Sequence, residues 1–227
     1  MLVVLEGLDG AGKSTQVKKL REYLESVSKS LEYIHFPRYD APVYGELIGK
    51  FLRGGFGSVD EVHPQLVALL YAGDRHDAAA HIREVLDSGG TVLLDRYVYS
   101  NIAYQCAKAA SEEEAEALRQ WIFDMEYGSF GIPKPDLNIF LDVPLSFVEA
   151  SLSQEREGGD RDYLHGSRDI HEASILFQKK VREMYVRQAA LDPDFITVDC
   201  SDARGAMLPP EDIFLKIKSV VDAHALR

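Results

Sequence analysis

MLVVLEGLDGAGKST, residues 1–15, decides the fold of this chain. An apolar run at residues 2 to 5 leads directly into GLDGAGKST at residues 7 to 15, which reads as strand, glycine-rich loop and helix in that order. Gly7 to Ser14 match GxxxxGK[ST], the pattern of a phosphate-binding loop. Gly7, Gly10 and Gly12 let the backbone turn tightly around Leu8, Asp9 and Ala11, with its N–H groups aimed inward at an anion. Lys13 supplies a mobile cation for the outer phosphates of a nucleotide and Ser14 a hydroxyl for Mg²⁺. The helix that begins with Ser14 and Thr15 adds the positive end of its dipole. A glycine-rich turn that binds nothing is the bland reading, and the ordered succession of strand, loop and helix argues against it.

Working outward, apolar strand-like runs recur as LEYIHF at 31–36, TVLLD at 91–95, LNIFLDV at 137–143 and FITVDC at 195–200. Their continuous hydrophobicity predicts strands buried on both faces. Helical patterns alternate with them over 14–26, 43–52, 64–86, 100–109, 112–126, 145–154, 170–190 and 211–225. That alternation predicts an α/β fold of about five parallel strands with helices on both faces. A chain of 227 residues suits one domain with its own core. The polar, glycine-bearing stretch EREGGDRDYLHGSR at 155–168, flanked by helical patterns, is a candidate mobile lid.

Composition narrows the partners. With 37 acidic against 25 basic residues, the formal net charge of −12 argues against a nucleic-acid polymer, whose binding requires neutralising many phosphates. A local arginine cluster can still hold a small phosphorylated ligand. Cys106 and Cys200 lack CxxC spacing, so we expect packing residues in a reduced compartment rather than a metal site. The chain shows no basic leader and no apolar run long enough to span a bilayer, so a soluble, cytoplasmic protein without membrane partners is expected.

Ligands of such sheets bind beyond the carboxyl ends of the strands. Strand two ends in FPRYD at 36–40 and strand three in DRYVYSN at 95–101. Taken singly, Phe36 reads equally well as a core aromatic, Pro37 as a strand terminator, and Asp95 with Arg96 as a surface pair. Their convergence on one sheet edge beside a phosphate loop favours function. Phosphoryl transfer needs alignment and well-placed cations more than covalent help. Lys13 and the loop amides suit the donor, and Arg96 suits an acceptor phosphate. The candidate lid offers Arg156, Arg161 and Arg168 for the transferred group, with Gly158 and Gly159 as a hinge. A solvated charge run is the bland reading of that lid. Asp95 stands where an acid organises Mg²⁺ directly or through water. Asp9, inside the loop, would repel a phosphate unless it faces Mg²⁺ or the second substrate, so it reads as an acceptor-side residue. Glu6 reads either as a buried partner for an arginine or as a site residue.

GLDGAGKST, FPRYD, AGDR at 72–75, LLDRYVYSNIAY at 93–104 and GIPKPDLNIFLDV at 131–143 together resemble thymidylate kinases, the enzymes that phosphorylate dTMP to dTDP with ATP. GKST alone is common among nucleotide-binding proteins. Asp9 combined with DRY and the following SNxAY is far more specific, and the likeness spans nearly the whole chain. The resemblance implies a nucleoside monophosphate kinase fold, ATP with Mg²⁺, and a homodimer built on helix packing. It implies that Arg96 and Tyr39 contact the dTMP phosphate, that Phe36 and Tyr71 line the thymine pocket, and that Arg75 and Asn101 read the base edge. Tyr104 would then sit near the sugar and disfavour a ribose 2′-hydroxyl, with Asp169 and Glu172 near the sugar and its metal. Two departures stand out. Asp9 is followed by Gly10 and Ala11 where some members carry a basic residue, which assigns the catalytic cation to Arg156 and Arg161. His171 stands where an aromatic ring often sits.

Two readings compete with dTMP phosphorylation: a kinase for another nucleoside monophosphate or for a deoxynucleoside, and a non-catalytic nucleotide-gated switch. An unphosphorylated acceptor would leave Arg96 and Tyr39 idle, and the chain lacks an NKxD-like guanine-reading motif. SDARGAM at 201–207 is a positional candidate for the adenine site. Leu66, Leu69, Leu70, Ile102 and Ala103 fit a dimer face or an internal core equally well.

Overall fold

The apolar runs assemble into one parallel sheet of five strands in the order β2-β3-β1-β4-β5. The strands are β1 (Leu2–Gly7), β2 (Leu31–His35), β3 (Thr91–Asp95), β4 (Leu137–Asp142) and β5 (Phe195–Asp199). The computed structural model describes residues 1–58, 61–153 and 175–225. Among them the helices are α1 (Lys13–Val27), α2 (Tyr44–Leu52), α3 (Pro64–Asp87) and α4 (Val98–Cys106), then α5 (Glu112–Phe123), α6 (Leu145–Ser153), α7 (Ile175–Leu191) and α8 (Pro210–Ala225). The expected α/β architecture is the one observed. No helix among the described residues is long and apolar enough to cross a membrane.

Burial on both faces holds for the inner strands only. β1 and β3 are buried throughout and β4 up to Leu141, whereas β2 is half-buried along its length and β5 is buried only at Phe195 and Val198. These two are the sheet's edges, so each has a strand neighbour on one side only, and edge position overrides apolar content. Two helix boundaries also shift. α4 starts at Val98, because the chain turns into the helix straight after β3, and it stops at Cys106. The expected helix over 112–126 is α-helical only to Phe123, then widens into a π-helical turn, Asp124–Ser129. π turns are uncommon and concentrate at functional sites. Cys106 and Cys200 are buried free thiols, each pushed up to about 12 by burial, as inert packing residues should be.

Register brings the chemistry to one edge. Leu5 and His35 both lie opposite Asp95, and Gly7 lies opposite Leu141, so the loop after β1 leaves between the ends of β3 and β4. A smaller apolar cluster of Ile48, Phe51, Leu52 and Val67 joins α2 to α3, and Tyr39, Tyr44, Leu70 and Tyr71 pack against it. Gly45 makes that docking possible: a Cβ there would lie 2.4 Å from the Tyr39 carbonyl oxygen and 2.5 Å from that of Arg38. Backbone cannot yield as a side-chain tip can. Gly45→Ala should therefore cost about 1–3 kcal/mol, read as a lowered urea midpoint. An unmoved midpoint would show that α2 shifts freely against the Arg38–Tyr39 segment.

Candidate active site

The loop after β1 carries the expected geometry. Gly10 and Gly12 hold φ of 76° and 70°, left-handed values that a side chain at these positions would resist. Leu8 and Ala11 bury their side chains in the core, which leaves their backbone to the loop, and Gly12, Ser14 and Thr15 are exposed at the head of α1. The Lys13 ammonium donates to Asp95 Oδ1, and His35 Nδ1 lies 3.1 Å from Asp95 Oδ2. Burial alone would raise the Asp95 pKa, but Lys13 and His35 more than offset it and hold the carboxyl far below its ordinary range. Burial lowers the Lys13 pKa against the pull of Asp95, so the lysine is desolvated and poised to exchange partners. Asp95 is a buried residue, not half of a surface pair.

Beside this loop opens a cleft lined by Asp9, Phe36, Pro37, Tyr39, Leu52, Tyr71, Arg75, Arg96, Tyr97, Ser100, Asn101, Tyr104 and Gln105. All eight acceptor-side residues expected from the sequence that fall within the described chain stand in this wall.

At one end of the cleft stands Arg96, a non-glycine residue at φ 69° whose N–H donates to the Leu5 carbonyl at 3.0 Å. A left-handed arginine is strained by about 1–3 kcal/mol, and such strain collects where a side chain must be aimed. Its guanidinium donates to Asp9 Oδ1 at 2.6 Å and to Ser100 Oγ at 3.1 Å, and lies 5.2 Å from the Tyr104 ring centroid. Asp9 thus turns its carboxylate away from the phosphate loop and towards the cleft, as its sequence position required. Burial pushes the Tyr104 hydroxyl well above its ordinary pKa, so it is a neutral hydrogen-bonding group.

At the other end, Arg75 is buried and forks onto Glu126 through Nε and Nη2, both at 2.6 Å, leaving Nη1 outside that fork. Asn101 Nδ2 donates to Glu126 Oε1 at 2.9 Å and to the Ala68 carbonyl at 3.1 Å. Those two acceptors fix which way the amide faces. Among the described residues Asn101 Oδ1 is buried with no hydrogen-bond partner, in a cleft wall that Arg75 also lines. A buried acceptor without a partner costs about 1–3 kcal/mol, which a ligand with a matching donor recovers.

Among the described residues Glu6 pairs with no arginine. Fully buried, it accepts the backbone N–H groups of Tyr97 at 2.9 Å and Ser100 at 3.1 Å, the Ser100 hydroxyl, and the Tyr185 hydroxyl at 2.9 Å. It pins the start of α4 to β1. Arg38 is likewise committed: its N–H and Nε reach Asp74 at 2.9 Å and its Nη2 reaches Asp77 at 2.6 Å. Arg156, Arg161, Arg168, Asp169, His171 and Glu172, with the whole candidate lid, lie outside the described residues.

Several residues here escaped the sequence reading. Glu126 is the first: it and Arg75, which the sequence did single out, are charges on the apolar faces of two helices, among Ala115, Leu118, Ile122 and Met125 on one and Ala72, Ala78, Ala79 and Ile82 on the other. Paired breaks of that kind are a readable signal of a buried ion pair. Gln178 on α7 shares a buried stripe with Val181, Tyr185 and Gln188, and it binds Asp9 twice. Ser100 and Gln105 flank Asn101 and Tyr104 in the cleft wall.

A family model described as Thymidylate kinase matches residues 5–206. Thymidylate kinase of Mycobacterium tuberculosis is 34% identical over 191 residues, covering 84% of this chain and 86% of its own. A probable thymidylate kinase of Thermococcus gammatolerans is 32% identical over 231 residues, covering 100% and 98%. Among solved structures, thymidylate kinase from Candida albicans superposes with a TM-score of 0.72 at 26% identity, covering 99% of this chain and 92% of its own.

Proposed function

The chain belongs to the thymidylate kinase family, and we propose on that premise that it transfers the terminal phosphoryl group of ATP to dTMP, forming dTDP. The observation that carries the choice of acceptor is Asn101 Oδ1, without a partner among the described residues, in the cleft wall that Arg75 also lines. Thymine presents N3–H, a donor, next to O4, an acceptor. Asn101 Oδ1 accepts from N3–H and Arg75 Nη1 donates to O4. Cytosine presents the reverse pattern, an N3 acceptor next to an amino donor, and opposes like with like at both contacts. Glu126 and the Ala68 carbonyl oppose the amide flip that would accommodate it. Phe36 and Tyr71 supply apolar surface to the ring, and Tyr104 stands at the sugar.

Arg96 and Tyr39 hold the acceptor phosphate, with Asp9 orienting the guanidinium. Lys13 and the amides between Leu8 and Thr15 cradle the donor phosphates, and Lys13 leaves Asp95 to do so. The acceptor is already an anionic oxygen at neutral pH, so no protein nucleophile is required and alignment takes up most of the work. Arg156 and Arg161 are the assigned cations for the transferring group. The residues present fit Mg²⁺: Ser14 exposes a hydroxyl at the head of α1, and both oxygens of Asp95 already have protein partners, which suits contact through water. When bound, the ion offsets charge on the donor phosphates. A homodimer in the cytoplasm completes the proposal, supported by Leu66 and Leu69, exposed apolar residues one turn apart on α3.

The test is ADP release measured across dTMP, dUMP, dCMP, ribo-UMP and thymidine. We expect dTMP to exceed dCMP by at least about 100-fold in kcat/KM, because two base-edge contacts are reversed. Equal use of dCMP would overturn the acceptor assignment, thymidine as the preferred acceptor would overturn the role of Arg96, and ATP binding without turnover of any acceptor would overturn catalysis.

A further inference from the structure

Arg96 is the group that must find the acceptor phosphate, yet it is a long side chain on a strained residue at the end of a strand. What aims it comes largely from α7. Gln178 Nε2 donates to Asp9 Oδ2 at 3.0 Å, while the Asp9 N–H donates to Gln178 Oε1 at 3.3 Å. The amide thus clamps both the backbone and the carboxylate of Asp9, whose other oxygen takes Arg96 Nη2 at 2.6 Å. Seven residues further along α7, on the same face, the Tyr185 hydroxyl lies 2.8 Å from Ser100 Oγ and donates to Glu6 at 2.9 Å. Ser100 Oγ takes the other guanidinium nitrogen, Nη1, at 3.1 Å. Both nitrogens of the fork are therefore held by groups that α7 itself holds. Gln178 and Tyr185 are each fully buried, and Tyr185 is further braced by a stacked Phe140 ring at 4.6 Å.

We propose that Gln178 and Tyr185 are positioning residues for phosphate recognition: through Asp9 and Ser100 they fix the two nitrogens of Arg96 in the orientation that meets the acceptor phosphate. Neither lines the cleft. A glutamine suits the first role because its amide offers a donor and an acceptor at once, matching the carboxylate and N–H of one residue. A buried hydroxyl suits the second because it can donate to Glu6 while contacting Ser100.

This inference rests on the assignment of Arg96 to the dTMP phosphate, and the experiment separates the two. Dissociation constants for dTMP and for thymidine, which lacks the phosphate, are measured by calorimetry for wild type, Gln178→Met, Tyr185→Phe and Arg96→Met. Melting midpoints are recorded alongside. Methionine keeps the length and packing of Gln178, and phenylalanine keeps the Tyr185 ring. Each α7 variant should weaken dTMP by about fivefold or more and leave thymidine within about twofold, since only a charge-assisted phosphate contact is misaligned. Weakening of both ligands alike would reduce α7 to a structural support and overturn the inference. Unchanged dTMP affinity in both α7 variants, with a large loss in Arg96→Met, would overturn it while leaving the acceptor site standing. No loss in Arg96→Met would remove the premise and the inference with it. Should Gln178→Met melt early, Tyr185→Phe carries the same comparison through the second nitrogen.

Discussion

Lys13→Ala should lower kcat by about two orders of magnitude or more while the protein stays folded, because the donor phosphates lose the side-chain cation of the loop that cradles them. The geometry separates this loss from a stability effect. Lys13 is nearly buried and its ammonium is bound to Asp95, which also has His35 on its second oxygen. Removing the lysine still leaves that carboxylate with His35 Nδ1 at 3.1 Å on its second oxygen. The desolvation that lowers the Lys13 pKa weakens its hold on the proton. Asp95 opposes that effect. Lys13→Arg should recover only part of the rate, since a planar fork replaces a compact charge in a loop fitted to the latter. Single-turnover rates at saturating ATP and dTMP, with circular dichroism as a control, decide the matter. An unchanged rate in Lys13→Ala would take the phosphate loop out of the mechanism.

Much of this was legible in the chain before any coordinates. The phosphate loop and the inner strands could be read because they rest on local rules: glycines where φ is positive, and continuous apolar runs where a strand has neighbours on both sides. The edge strands β2 and β5 misled, because apolar content does not reveal strand order. The cleft wall was legible only in part. Asn101 and Arg75 could be named, but the reason one amide oxygen is left free is Glu126, which reaches them from a π-helical turn 25 residues beyond Asn101. Gln178 lies 169 residues from Asp9, and no local pattern encodes that pairing. Such long-range contacts are fixed by how α7 crosses α4, and a sequence shows them only as polar residues in a stripe that should be apolar. Glu6 illustrates the same limit: its burial was open to two readings, and its actual partners are backbone N–H groups and hydroxyls.

Glu126→Ala should produce the largest stability loss of any single change in the cleft and should also blur the choice of base. Arg75 is buried and gives Glu126 two hydrogen bonds, so deleting the carboxylate leaves a desolvated guanidinium without its partner, at a cost of about 3–5 kcal/mol. The same deletion frees one of the two acceptors that orient the Asn101 amide. With only the Ala68 carbonyl left to fix it, the amide can turn and present its donor end to the base. The dTMP to dCMP ratio in kcat/KM should then fall by about tenfold or more. Turnover with bound dTMP should suffer less, because Lys13 and Arg96 are untouched. Glu126→Gln is the milder companion. It keeps the shape and one acceptor, so its urea midpoint should lie between those of Glu126→Ala and wild type, and its base preference should also be intermediate. A Glu126→Gln protein with full stability and an unchanged dTMP to dCMP ratio would show that neither Arg75 nor Asn101 depends on this carboxylate. The base-reading geometry would then have to be set by the Ala68 carbonyl and the helix packing of α3 against α4.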